Sequence, residues 1–133
     1  ARWVSVEDAL KFVWGYTCAN DVTARDLEQR DSQLTRCKGF DTFCPIGPWV
    51  STDVDAADLV VMCKVNGQVR QMSSTRELRF SVPQLIAFIS SVMTLEPGDV
   101  ILTGTPAGVG PLNAGDAVEV EIEGIGTLVN TVK

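Results

Sequence analysis

Six residues in this sequence have types and settings suited to chemistry on a small anion: Asp21, Arg25, Glu28, Lys38, Gly104 and Thr105. Asp21 follows Asn20 at the end of a β-rich run, just before a helix start; a carboxylate there suits a hard cation such as Mg²⁺, or equally a turn or helix-start charge. Arg25 and Glu28 stand three apart and share one helical face, as a solvated ion pair or as flanks of a metal held by Asp21. Lys38 lies in the run Cys37-Lys38-Gly39-Phe40, where a half-buried ammonium suits a charge clamp or proton transfer, and a snorkelling surface lysine suits it too. Gly104-Thr105 ends an apolar run, placing a hydroxyl beside open backbone N–H groups, a setting for an oxyanion or carboxylate. On spacing alone, an ordinary glycine-rich turn explains that loop as simply.

Composition narrows the chemistry. The chain has 133 residues and no histidine, so it cannot by itself build a Ser-His-Asp triad, a Cys-His dyad or a His-ligated zinc site. Seventeen acidic against 11 basic residues give a net charge of -6, and no basic stripe is present to displace counterions from a nucleic acid. The apolar run around 85–93 is broken by Ser90 and Ser91 and falls far short of the roughly 18 residues of a membrane span. Cys18, Cys37, Cys44 and Cys63 form no C-x-x-C pair, which fits reduced, mostly buried thiols in a cytoplasmic protein. The glycines of residues 104–110 lack the Gly-Lys-Ser/Thr of a nucleotide-binding loop.

The elements that must position these residues are short. Ser5 to Asp8 has the form of a capping box ahead of an amphipathic helix that stops at Gly15. Residues 16–20 read as a strand, and Thr23 caps a polar helix from about Ala24 to Arg30. Residues 31–58 read as loop. Two β-rich runs flank Asn66-Gly67, the signature of a type I′ hairpin. Ser81-Val82-Pro83-Gln84 opens the best helix, its apolar face running through Leu85, Ile89 and Val92 and widened by Ile86, Phe88 and Met93. Val100 to Thr103 reads as a strand. Residues 117–123 alternate small or apolar with acidic, and Thr127 to Val132 return as the partner strand. The class is α+β, mainly β, with short helices and an antiparallel or mixed sheet.

Five segments then add up to a resemblance. They are Gly15 to Asp26 (GYTCANDVTARD), Lys38 to Trp49 (KGFDTFCPIGPW), Val65-Asn66-Gly67 with Arg70-Gln71, Leu95 to Pro111 (LEPGDVILTGTPAGVGP) and Gly124 to Leu128 (GIGTL). In this order, over nearly the whole chain, the sequence resembles the catalytic domain of the fumarylacetoacetate hydrolase family. The resemblance implies a mixed β-roll, a Mg²⁺ or Mn²⁺ cofactor, usually a homodimer, and a small anionic 2-oxo acid or its enol as substrate. It implies C–C hydrolysis of acylpyruvate-type substrates or decarboxylation of oxaloacetate, or alternatively isomerisation of 2-hydroxyhepta-2,4-diene-1,7-dioate. By the same resemblance Asp21 is a metal ligand, Lys38 the active-site lysine, Thr105 with Gly104 the carboxylate-binding element, and Arg25 and Glu28 line the substrate site.

Two departures stand out. The family's Glu-x-Glu ligand pair and its histidine-bearing lid, expected ahead of Gly15, have no counterpart here; the acidic pair before Gly15 is the adjacent Glu7-Asp8. Glu28 stands where a glutamine is usual. The expectation is therefore a single catalytic domain, 1–133, that is N-terminally incomplete and missing its first strands. The competing expectation is a metal-free module that serves only as a structural or dimerisation partner.

Overall fold

The computed structural model describes all 133 residues. The centre is an antiparallel four-stranded sheet. Following β1 (Tyr16–Ala19) and β2 (Ile46–Ser51), the chain forms β3 (Val60–Val65), β4 (Gln68–Ser74), β5 (Ala117–Ile122) and β6 (Gly126–Thr131), and these last four pair in the order β4-β3-β5-β6. The β3–β4 turn places Asn66 at φ 52 and Gly67 at φ 76, the two left-handed positions of a type I′ turn. Asn66 also clamps the hairpin to its neighbour. Its side-chain amide donates to Asp116 Oδ1 at 2.8 Å and its Oδ1 accepts from Ala117 N at 2.9 Å. Asp116 Oδ2 in turn accepts the Asn113 N–H at 2.7 Å.

The expected alternation along residues 117–123 is present. Val118 and Val120 are buried, and Val120 packs with Cys18, Ile125 and Leu128 in a small core. Glu121, on the opposite face, pairs diagonally with Lys64 at 3.0 Å. β1 and β2 form a separate antiparallel pair laid against this core, and the Cys18 thiol donates to Gly126 O at 3.3 Å. All four cysteines are free; Cys18 and Cys37 are fully buried, while Cys44 is exposed.

The long helix, Val82–Val92, starts where the capping box predicts. Gln84 N donates to Ser81 Oγ at 3.4 Å, and Ser81 N donates to Gln84 Oε1 at 2.8 Å. Its buried line is Ile86 and Ser90, one turn apart, because the N-terminal segment lies along that edge. Trp3 N donates to Ser90 O at 3.0 Å and Val4 N to Ser90 Oγ at 3.1 Å. Phe88 and Val92 of the expected apolar face are 70% and 66% exposed.

Several local expectations are corrected. The first helix is a 3₁₀ turn, Ala9–Phe12, of which only Ala9 is buried; with nothing covering Leu10 and Phe12, an amphipathic face has no packing to extend it. The helix expected over 24–30 is the single turn α1, Arg25–Glu28. Its N-cap is Ala24 rather than Thr23, whose hydroxyl donates to Asp21 O at 3.1 Å. Residues 31–58 contain a further turn, α2 (Thr35–Lys38), and the strand β2, and the 3₁₀ turn Thr75–Glu77 precedes the long helix, which becomes α3. Residues 100–103 form no ladder and are not a strand.

Asp116 makes the hairpin clamp pH-sensitive. Hydrogen bonds from the Asn113 backbone and the Asn66 amide hold its carboxyl below the usual carboxylate range. A lowered folded pKa stabilises the fold above the unfolded value of about 4 and loses that contribution as pH falls through the folded value. Thermal melts of the wild type and Asp116→Asn should therefore differ near pH 7 and converge as pH drops below about 4. A difference that persists unchanged at low pH would contradict the clamp.

Candidate active site

Asp21 follows directly from β1. Asn20 N donates to Pro45 O at 3.1 Å, and Val22 N turns back to Asn20 O at 3.0 Å. Lys38 closes α2, anchored by the buried Cys37, whose carbonyl accepts the Ala24 N–H at 2.9 Å and so ties α2 to the start of α1. This brings the Lys38 ammonium onto Asp21 Oδ2 and, at 3.2 Å, onto Thr23 Oγ1. Thr23 accepts from Lys38 while donating to Asp21 O, so one hydroxyl serves both residues. An ammonium has three N–H donors; the third has no partner in the chain. About a third of each side chain is exposed: 32% for Lys38 and 39% for Asp21.

On α1, Arg25 Nη1 donates to Glu28 Oε2 at 2.7 Å. The carboxylate that departs from the family's glutamine is thus neutralised by its neighbour one turn away. The Gly104-Thr105 loop is the third component. It has no ladder of its own and rests on β4. Gln71 Nε2 donates to Thr105 Oγ1 at 2.8 Å and to Pro106 O at 2.6 Å. At Gly108 (φ +106), a Cβ would stand 2.0 Å from Arg70 O, so only glycine lets the loop sit this close to the strand. The N–H groups of Gly104 and Thr105 find no acceptor within the chain.

Asp21, Thr23, Arg25, Glu28 and Lys38 form one group and Gln71, Gly104 and Thr105 a second; both border an open depression of about 1750 Å³ whose lining takes in 63 residues, nearly half of the chain. The volume exceeds that of a usual small-ligand pocket, so its polar groups rather than its size define what it binds. Burial pushes the Tyr16 phenol and the Cys63 and Cys18 thiols up. They remain protonated near neutrality, and neither thiol is an activated nucleophile.

The divalent-cation expectation meets a shortfall in this chain. Asp21 is a suitable oxygen ligand, but no group of three or more His, Cys, Asp or Glu side chains gathers anywhere in the structure. One carboxylate already paired with an ammonium does not make a Mg²⁺ or Mn²⁺ site.

Two site residues escaped the reading from sequence. Thr23 looked like a helix cap. Gln71 stands opposite Cys63 and so shares the face of β3 that carries Val61 and Val65. An amide where alternation calls for an apolar residue was the available signal.

The antiparallel strands carry a paired ammonium and, on a separate loop, a hydroxyl and backbone N–H groups without partners, a donor set suited to an anion. The family model described as "Fumarylacetoacetate (FAA) hydrolase C-terminal" matches residues 1–133, and the chain belongs to the fumarylacetoacetate hydrolase family. The crystal structure of a 5-carboxymethyl-2-hydroxymuconate delta-isomerase from Mycobacterium smegmatis superposes with a TM-score of 0.98 at 53% identity, covering 99% of this chain and 53% of that one. A maleylpyruvate hydrolase from Sphingobium, in complex with manganese(II) and pyruvate, superposes at 0.90 and 41% identity, covering 99% of this chain and 48% of its own. An oxaloacetate tautomerase of Bacillus subtilis is 45% identical over 97% of this chain and 46% of its own length. The chain spans about half the length of the curated relatives it matches. No helix is long and apolar enough to cross a membrane.

Two outcomes follow from this geometry. Calorimetric titration of the 133-residue chain with Mg²⁺ or Mn²⁺ should show no submillimolar binding; a tight site would mean that ligands gather in a way this arrangement does not contain. Gly108→Ala should destabilise the chain by roughly 1–3 kcal/mol, the usual cost of forcing extra volume into a packed contact. The same variant should expose the Gln71 side-chain amide to faster hydrogen exchange.

Proposed function

We propose that this chain carries the substrate-binding side of an enzyme that acts on small 2-oxo acids or their enols through an enolate. The observation that supports this most directly is the donor set itself, the Lys38 ammonium held by Asp21 and Thr23 and the Gly104-Thr105 donors carried on β4 by Gln71. A 2-oxo acid presents a carboxylate next to a keto oxygen. The carboxylate suits the Thr105 hydroxyl and the open amides. The keto oxygen, which becomes the enolate oxygen, suits the unused N–H of Lys38. Donors held rigidly toward developing negative charge lower the barrier without having to reorganise. Arg25, already paired with Glu28, and Glu28 itself border the remainder of the substrate.

A divalent cation, Mg²⁺ or Mn²⁺, belongs to this reading as a Lewis acid in the complete protein, with Asp21 as one ligand; the manganese in the maleylpyruvate hydrolase structure supports it. In this reading residues 1–133 are one catalytic domain whose remaining ligands come from elsewhere in the protein. The four free cysteines support a cytoplasmic setting. Exposed Trp3, Trp14 and Phe88 (69%, 79% and 70%) support a homodimer.

The enolate is common to C–C hydrolysis of acylpyruvates, decarboxylation of oxaloacetate and isomerisation of diene dioates. The relatives named as an isomerase and a tautomerase support isomerisation or keto–enol exchange, and the one named as a maleylpyruvate hydrolase supports C–C hydrolysis.

The test is an assay of the protein as its gene encodes it, with Mn²⁺, against the enol of oxaloacetate, acetylpyruvate and a 2-hydroxy-diene dioate. Turnover of at least one is expected. Lys38→Met should lower kcat/KM for that substrate by roughly 10²–10³-fold, the usual loss when an oxyanion donor is removed, with an unchanged circular dichroism spectrum. Turnover of none, or a Lys38→Met protein of undiminished activity, would leave the metal-free dimerisation module as the better account.

A further inference from the structure

We propose that Gln71 is a positioning residue that sets the direction of the Thr105 hydroxyl proton. The inference rests on the reading of Gly104-Thr105 as a carboxylate site and adds how that site is primed.

The side-chain amide of Gln71 has a fixed orientation because of Pro106. A glutamine amide has one end that donates and one that accepts. Pro106 O, 2.6 Å away, is an acceptor. Turning the amide over would set oxygen against oxygen, so the end facing the loop is Nε2. Its second N–H therefore points at Thr105 Oγ1, 2.8 Å away. A hydroxyl that accepts a hydrogen bond from one side turns its own proton to another. Thr105 Oγ1 makes no other hydrogen bond in the chain, so that proton is left for a ligand. The N–H groups of Gly104 and Thr105 likewise have no partner in the chain.

The arrangement also solves a rigidity problem. Residues 100–111 form no ladder, and preorganised donors need a fixed support. β4 is hydrogen-bonded to β3 along its length, with Gln71 opposite Cys63. Gln71 transfers that rigidity to the loop, and the absence of a Cβ at Gly108 allows the approach. Replacing Gln71 by glutamate reverses the polarity. A carboxylate only accepts, so the Thr105 proton turns toward residue 71 and away from the ligand.

The test is a titration of the full chain with pyruvate, followed by nuclear magnetic resonance of the backbone amides of Gly104 and Thr105. The wild type is expected to show saturable shifts. Thr105→Val should weaken binding about tenfold, the value of a hydrogen bond to a charged group. Gln71→Glu should weaken it at least as much, and Gln71→Met, which removes the donor without adding charge, about threefold. In the Thr105→Val background both Gln71 variants should cost distinctly less than in the wild type, because only the Pro106 support and not the hydroxyl direction is then lost. In Thr105→Ser, which restores the hydroxyl, the full dependence on Gln71 should return.

Wild-type affinity in Gln71→Met and Gln71→Glu, with binding lost in Thr105→Val, would overturn the positioning role and leave the carboxylate site standing. An equal Gln71→Glu penalty with and without the Thr105 hydroxyl would overturn it as well, since that is plain charge repulsion. Should Gln71→Glu fail to fold, the Gln71→Met cycle decides alone. No response in the wild type, or an unaffected Thr105→Val, would overturn the carboxylate reading and this inference with it.

Discussion

Strand β3 is hydrogen-bonded along both edges, to β4 on one side and β5 on the other. It is the only strand of the β3–β4 hairpin that reaches the rest of the sheet, so the hairpin's register against β5 passes entirely through it. Because side chains alternate, a slip of one residue would carry Cys63 and its partner Gln71 to the opposite face. Gln71 would then no longer face the 104–108 loop. The Asn66–Asp116 clamp at the turn and the Lys64–Glu121 pair on the far face oppose that slip. A hairpin clamp remote from the cleft thereby determines where a substrate-facing hydroxyl lies.

Charge is handled locally rather than globally. The chain as a whole repels anions, with a net charge of -6. Both cations nearest the proposed substrate are already paired, Lys38 with Asp21 and Arg25 with Glu28. What remains for an anion is directional: one N–H of Lys38, one hydroxyl and two backbone amides. Such a site selects by geometry at close range and does little long-range steering, which depends on unpaired charge and is screened by salt. It also suits substrates whose negative charge moves during reaction, because the donors stay where charge arrives.

Much of the architecture was legible from local signals that act over a few residues. The Asn66-Gly67 turn, the Ser81–Gln84 capping box and the alternation of 117–122 each appear where expected, because each is specified by φ requirements or by side-chain periodicity within a short window. The segment from 31 to 58 was not legible. Gly47 and Pro48 read as breakers, yet β2 begins directly after Pro45 and runs through both as one half of a two-stranded pair. Pro48 falls within the stretch where the register with β1 shifts, and an irregular edge pairing tolerates a missing N–H. Thr23 misled for a related reason, since its hydroxyl was diverted from a helix end to a carbonyl and an ammonium. The residues of the site were readable one at a time. Their association was not, since the Asp21–Lys38 pair spans 17 residues and the Gln71–Thr105 bond spans 34.

The core around Cys18 has a consequence for how the chain acquires its shape. Cys18 is buried against Val120, Ile125 and Leu128, and its thiol bonds to a carbonyl 108 residues away. Contacts of such high sequence separation pay their loop-closure entropy before they return any packing. The β1–β2 pair that seats Asp21 is held by contacts of short sequence separation, whereas the Cys18 core that it packs on closes the longest loop in the chain.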